Sequence, residues 1–275
     1  MKRKFAALAF SAYTMLLMGQ EPIEPLPVTV EYDRAKAELG RRLFIDTVLS
    51  QDRTVACVTC HSFEFGGADP RSVSVGVGGQ KGTIQSPTGM RSETVEKRLN
   101  ADAAYRAWFK RLYGTDRITF MQVIDAIVEF EKALVTPNSR FDRYLRGEAA
   151  LSKTEMEGYR RFKAYGCVTC HNGINIGGNS FQKMGLFVPY AYDEKVEDRY
   201  AVTQQSRHKN VYKVPTLRNI ALTAPYFHDA SAKTLKKAVQ KMSYHNLGTD
   251  LDEEDVELIV AFLETLTGEK PKVLE

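Results

Sequence analysis

All four cysteines of this 275-residue chain fall in two identical pentapeptides, Cys57-Val58-Thr59-Cys60-His61 and Cys167-Val168-Thr169-Cys170-His171. None is left for another purpose, so whatever the two motifs hold must organise the whole fold. Two disulfides are the first expectation for four cysteines in an exported protein, and a zinc site is another. Zinc frameworks place a second Cys pair about 15 to 20 residues on, whereas these pairs lie 110 positions apart. Neither alternative uses the two histidines. A Cys-x-x-Cys-His run is the attachment signature of c-type haem: each Cys forms a thioether with a haem vinyl group, and the adjacent His is delivered to the iron. Cys57, Cys60, Cys167 and Cys170 therefore read as attachment points, His61 and His171 as iron ligands, and the cofactor as two covalently bound haems c.

The duplication extends beyond the motifs, as a repeated domain requires. Gly40-Arg41-Arg42-Leu43-Phe44 is echoed by Gly158-Tyr159-Arg160-Arg161-Phe162, and Ile127-Val128-x-Phe130-x-x-x-Leu134 by Ile259-Val260-x-Phe262-x-x-x-Leu266. Each unit reads as helix, haem motif, variable region, closing helix. Leu151-Ser152-x-x-Glu155-Met156 joins a capping box to a hydrophobic staple and predicts a helix ending at Gly166. Val256, Ile259, Val260 and Leu263 repeat at helical spacing behind the acidic turn 252–255, and a matching helix spans about 118 to 135. Thr136 to Ala150 is polar and Arg-rich and reads as the linker. Alternating strand patterns are absent, so the fold class is mainly α.

Lys2, Arg3 and Lys4 precede an apolar stretch, Phe5 to Gly19, with no acidic residue among the first nineteen. That is a signal-peptide layout, too short for a span of about 20 apolar residues. No A-x-A triplet precedes Glu21, and an uncleaved anchor is the alternative. The three basic residues account for most of the formal charge of +4, leaving the mature chain close to neutral. A nucleic-acid partner is thereby disfavoured. The expected division is signal peptide 1–20, first unit 21–138 and second unit 139–275, with a periplasmic location.

These residues carry a resemblance to the bacterial dihaem cytochrome c peroxidases. Besides both haem motifs, it rests on Gly66-Gly67-x-Asp69, Phe141-Asp142-Arg143-Tyr144-Leu145, Phe181-Gln182, Val214-Pro215-Thr216-Leu217-Arg218-Asn219, Thr223-Ala224-Pro225-Tyr226-Phe227-His228-Asp229, and Leu263 to Gly268. The resemblance implies two tandem cytochrome c-like domains with their haems near the interface. The second haem would take electrons from a small donor protein, such as a monohaem cytochrome c or a cupredoxin, and the first would reduce hydrogen peroxide to water. Many relatives are homodimers. The family's axial methionine matches Met242, with Met184 the competitor on chemistry alone; His plus Met ligation raises a haem's potential. Thr223 and Pro225 match positions whose carbonyls help hold an interface calcium in relatives, with Gln85 standing where Asn is usual. Calcium takes about 6 to 8 oxygens and can use water for the rest.

The sequence departs from the family in two places. Val77 stands where many relatives carry a histidine that caps the resting first iron. Ser86-Pro87-Thr88 then runs almost directly into Gly89-Met90-Arg91, where relatives carry a longer stretch with a Trp-containing motif and the distal acid. That distal carboxylate has no counterpart, so the catalytic acid/base is unassigned; Glu64, Glu93 and Glu96 are the nearest acidic residues and read as solvated surface. Trp108 lies in another context. His228 is expected near the haem interface, and His208 and His245 at the surface. Two alternatives to a peroxidase follow: a dihaem electron-transfer protein that lost peroxidase activity with the loop, and an enzyme like the dihaem maturation proteins, which carry Tyr in place of Met242.

Overall fold

The computed structural model describes residues 21–81, 88–191 and 197–275. The expected signal peptide 1–20, Gln85 and the Ser86-Pro87 pair lie outside the described residues. The architecture is mainly helical, as expected, and repeats one arrangement twice. In the first unit, α1 (Arg34–Ile45) packs along α5 (Phe120–Ala133); between them come α2 (Cys57–Cys60), α3 (Ser92–Ala101) and α4 (Ala103–Tyr113). In the second, α7 (Lys153–Ala164) packs along α10 (Glu253–Glu264), with α6 (Arg140–Leu145) before them and α8 (Arg199–Thr203) and α9 (Leu235–Met242) between. A two-stranded antiparallel ribbon, β1 (Phe181–Lys183) with β2 (Val211–Lys213), pairs Phe181 with Lys213.

Local chemistry starts these helices where they start. Asp33 caps α1, Thr119 with Gln122 forms a capping box on α5, and Ser152 with Glu155 does so on α7. Asp252 caps α10, whose first turn holds Glu253, Glu254 and Asp255 at the positive end of the helix dipole. Each side chain accepts from an amide that the helix leaves unpaired.

A glycine sets the approach of each principal pair. A β-carbon on Gly40 would lie 2.0 Å from the Ala126 carbonyl oxygen of α5, and one on Gly158 would lie 1.9 Å from the Leu258 carbonyl oxygen of α10. Both distances are far inside van der Waals contact, so the backbones touch where a side chain would stand. One turn further on, Phe44 meets Phe130 at 5.3 Å and Phe162 meets Phe262 at 5.1 Å. The sequence echo is thus a repeated packing geometry.

The termini cross between units. Ile23 is buried in the second core among Phe141, Tyr159 and Phe262, and the Glu21 carboxylate accepts from the Tyr159 hydroxyl. At the other end, Val273 and Leu274 pack on the first-unit cluster of Ala37, Phe44 and Phe130. A division at 138/139 is therefore bridged at both ends of the chain.

The segment 136–150, read as a polar linker, holds a buried cluster. Ser139, Phe141 and Asp142 are fully buried. Phe141 meets Tyr159 edge-on at 4.7 Å and Phe262 at 5.0 Å. Asp142 receives the Arg218 guanidinium at 2.9 Å on both oxygens, the Leu26 amide at 3.0 Å and the Ser139 hydroxyl at 2.7 Å. Arg218 also donates to the carbonyls of Ile174 (2.6 Å) and Glu24 (3.0 Å). One buried ion pair therefore ties the N-terminal strap, the linker helix and the loop after the second haem motif.

Two substitutions test this packing. Gly→Ala inside a helix ordinarily stabilises by roughly 0.5–1 kcal/mol; Gly158→Ala is expected to destabilise instead, by about 1–3 kcal/mol from overpacking. Asp142→Ala strands a buried guanidinium and is expected to cost about 3–5 kcal/mol. Denaturant unfolding checks both, and a Gly158→Ala protein as stable as wild type would contradict the close crossing.

Candidate functional site

The two haem motifs fold alike. Each forms a single helical turn in which the His amide returns to the first Cys carbonyl, at 2.9 Å for His61 to Cys57 and 3.0 Å for His171 to Cys167. That turn lets two sulfurs and one imidazole approach the same flat group. Cys57 and Val58 pack on the Phe44–Phe130 cluster, Cys167 and Val168 on the second core. The imidazoles then stand identically against the helix-pair aromatics: Phe44 to His61 is 6.4 Å at 50°, Phe162 to His171 is 6.4 Å at 48°. The repeat thus delivers the same ligand from the same support.

All four thiols are free. Among the described residues no three His, Cys, Asp or Glu side chains gather to hold a metal ion, so the motifs do not combine into a zinc site. Burial pushes the Cys167 thiol up to about 12 and raises Cys57 and Cys170 as well, so the thiols stay protonated. Paired free thiols beside an imidazole fit covalent haem: Cys57 and Cys60 would hold one group with His61, and Cys167 and Cys170 another with His171.

The ligand environments differ. His61 is exposed, and its Nδ1 lies 3.1 Å from the Gly67 carbonyl. As donor to that carbonyl, Nδ1 keeps the proton and leaves Nε2 for iron. His171 is buried, its Nδ1 lacks a partner of ordinary hydrogen-bond geometry, and burial lowers its pKa to about 4 against a small opposing pull from the Ile176 backbone. A β-carbon on Gly177, at φ 125°, would sit 2.2 Å from the Pro215 carbonyl oxygen and 3.4 Å from that Nδ1, so only glycine lets the chain close over the ring.

Met242 is the last residue of α9, half-buried, and leads into a π-turn over Ser243–Leu247 closed by Gly248. Single π-turns of this kind concentrate at functional sites. Met184 is buried, with its amide donating to the Asn210 carbonyl at 2.7 Å.

Thr223 and Pro225 lie where the units meet. A β-carbon on Gly66, in the loop after the first motif, would touch Asn219 Cβ and Thr223 Cγ2 at 3.4 Å each. Asn219 donates to the Thr136 hydroxyl at 2.9 Å and accepts the Gly268 amide at 3.0 Å. Pro225 follows a cis peptide bond.

Several sequence expectations need correction. His245 is no surface residue: it is half-buried, its Nδ1 lies 3.0 Å from the Val188 carbonyl, and Tyr190 packs edge-on against it at 4.8 Å. His208 does stand at the surface, only partly covered, with its Nδ1 2.8 Å from the Thr203 hydroxyl. Glu96 accepts the first amide of α5, Phe120, at 2.8 Å and faces Arg117 at 3.5 Å, so it caps a helix instead of standing in solvent. Glu64 and Glu93 are exposed, as expected. His228 stacks on Tyr212 at 3.9 Å and 29°, and surrounding protein lowers its pKa. The Asp142–Arg218 pair was invisible in sequence, because its members are 76 residues apart and obey no periodicity.

The family model described as Di-haem cytochrome c peroxidase matches residues 34–92 and 89–150, and that described as Cytochrome c matches 155–267. The first match falls into two segments that overlap at 89–92. Cytochrome c551 peroxidase of Nitrosomonas europaea is 39% identical across 96% of this chain and 89% of its own length. Cytochrome c551 peroxidase of Pseudomonas aeruginosa is 36% identical across 86% and 80%. A solved MauG-like protein associated with microbial copper homeostasis superposes with a TM-score of 0.75 at 27% identity, covering 92% of this chain and 95% of the other. The chain belongs to the di-haem cytochrome c peroxidase family.

Proposed function

We propose that the chain is a dihaem c-type peroxidase that reduces hydrogen peroxide to water in the periplasm, taking electrons from a small donor protein such as a monohaem cytochrome c or a cupredoxin. The near full-length relationship to two cytochrome c551 peroxidases carries this reading. The overall change consumes one peroxide, two electrons and two protons and yields two waters. Bound haem supplies an iron able to bind peroxide at one site and to pass electrons at the other.

The chain's own residues divide the labour. His61 stands on the exposed side of the first unit, with Nδ1 held by Gly67, and Val77 offers no imidazole as a second ligand. His171 is enclosed, and Met242 is the sixth ligand proposed for it, a pairing that raises the potential and suits electron entry. The close approach of Gly66 to Asn219 and Thr223 brings the loop of the first motif beside the second unit. Thr223, Pro225 and Gln85 are proposed to hold an interface calcium, and a homodimer is the proposed assembly.

One observation favours a second reading, a dihaem electron carrier without peroxidase activity. The family model matches in two segments that meet at residues 89–92, and the resemblance leaves this chain without the distal acid of its relatives there. Proton transfer between the peroxide oxygens wants such a group, yet Asp69 is bound to Arg71 and Glu96 caps α5.

Steady-state oxidation of a reduced donor by hydrogen peroxide separates the readings: turnover well above that of free haem is expected, and a fully haem-loaded protein without it establishes the carrier. Cys57→Ser with Cys60→Ser is expected to halve covalent haem, measured as pyridine haemochrome. Met242→Leu is expected to abolish the sulfur-to-iron charge-transfer band of the oxidised protein and to lower one midpoint potential, leaving the other in place.

A further inference from the structure

Arg71 reaches the first haem motif from outside it. Its Nη2 lies 3.5 Å from Cys60 Sγ and 3.1 Å from the Thr59 carbonyl, and the same nitrogen donates to Asp69 Oδ2 at 2.6 Å. Nε completes the fork on Asp69 Oδ1 at 2.7 Å, and the Arg71 amide donates to that oxygen at 3.0 Å. The guanidinium is therefore fixed between a carboxylate and the sulfur that carries the second thioether. Asp69 is mostly enclosed while Arg71 remains partly open to solvent. Burial raises the Asp69 carboxyl, but the hydrogen bonds from Arg71 and Ser74 outweigh it and hold the group below its ordinary range; the bond to Asp69 in turn raises Arg71. Both groups stay charged.

The second motif has nothing comparable. Counted from the motif histidine, Asn179 and Phe181 stand where Asp69 and Arg71 stand in the first unit. Asn179 donates to Asn172, and Phe181 lies under the Arg199 guanidinium at 4.5 Å. Among the described residues, no side chain donates to the sulfur of Cys167 or Cys170. The ion pair thus distinguishes two otherwise repeated sites.

The geometry points to Arg71 and Asp69 as a pair of positioning residues that sets the reduction potential of the haem attached at Cys60 and ligated by His61, the guanidinium favouring the reduced form and the carboxylate opposing it. Accepting one electron from the donor makes the site one unit more negative. A cation hydrogen-bonded to the thioether sulfur stabilises that change, and an anion behind it offsets the effect. The inference rests on the covalent dihaem reading above, though not on peroxidase turnover.

The test uses the full-length, haem-loaded protein, with haem content measured first and both midpoint potentials followed by spectroelectrochemical titration. Arg71→Gln is expected to lower one of the two midpoints, and Asp69→Asn to raise that same midpoint. The double variant should fall between them, Arg71→Lys should stay nearest wild type because it keeps the charge, and the other midpoint should not move. Opposite signs at a single haem are what charge predicts; loosened structure would move both variants the same way. Unchanged potentials, shifts of one sign or equal shifts at both haems would overturn the assignment with the dihaem reading intact. A purified chain without thioether-bound haem would overturn both.

Discussion

The approach of two helices across a glycine governs this molecule, and it does so twice. Where Gly40 meets the Ala126 carbonyl and Gly158 meets that of Leu258, the backbones come closer than any side chain permits. That closeness leaves each phenylalanine one turn later, Phe44 or Phe162, a single place to go: against its partner on the second helix and beside the motif histidine. Position of the iron ligand is therefore inherited from helix packing. A rigid support of this kind is what a covalently attached cofactor needs, since a thioether fixes the ring only as well as the chain fixes the cysteine.

Around this common frame the two units are furnished differently. The second is wrapped: the N-terminal strap, the linker helix and the 174–177 loop converge on Asp142 and Arg218, and His171 ends enclosed. The first is open: its histidine is exposed, and a charged pair borders its second cysteine. Enclosure lowers the local dielectric and suits an iron that only passes electrons, whereas small-molecule chemistry needs access. Repeated motifs with unlike surroundings would let one duplicated module take two tasks.

What the sequence made legible, and what it did not, follows from the range of each interaction. The capping box at Ser152, the helical spacing of Val256, Ile259 and Leu263, and the Cys-x-x-Cys-His turns are all decided within a few residues, and they stand where the pattern puts them. The segment 136–150 misled because its many arginines mask one fully buried Phe-Asp pair, whose partners at Tyr159 and Arg218 lie far along the chain. His245 and Glu96 misled for the same reason. Their hydrogen-bond partners, Val188 and Phe120, are brought to them only by tertiary structure. Met242 came from family resemblance, since its own helix supplies a half-buried position that core packing alone would also explain.

Proton supply, rather than electron supply, is the harder demand on a peroxidase built on this chain. Two attachment motifs, a buried histidine with a methionine available on α9, and a direct contact between units provide what electron transfer asks for. Cleaving the peroxide O–O bond asks additionally that a proton move from the inner to the outer oxygen. Near the first motif, Asp69 is held charged by Arg71, and Glu96 is spent on the α5 terminus. A carboxylate bound to a guanidinium is a poor shuttle, because protonating it forfeits the ion pair. Exposed Glu64, three residues beyond His61, and water on that open face are the carriers left, and a peroxidase working this way would depend on solvent access to the first site.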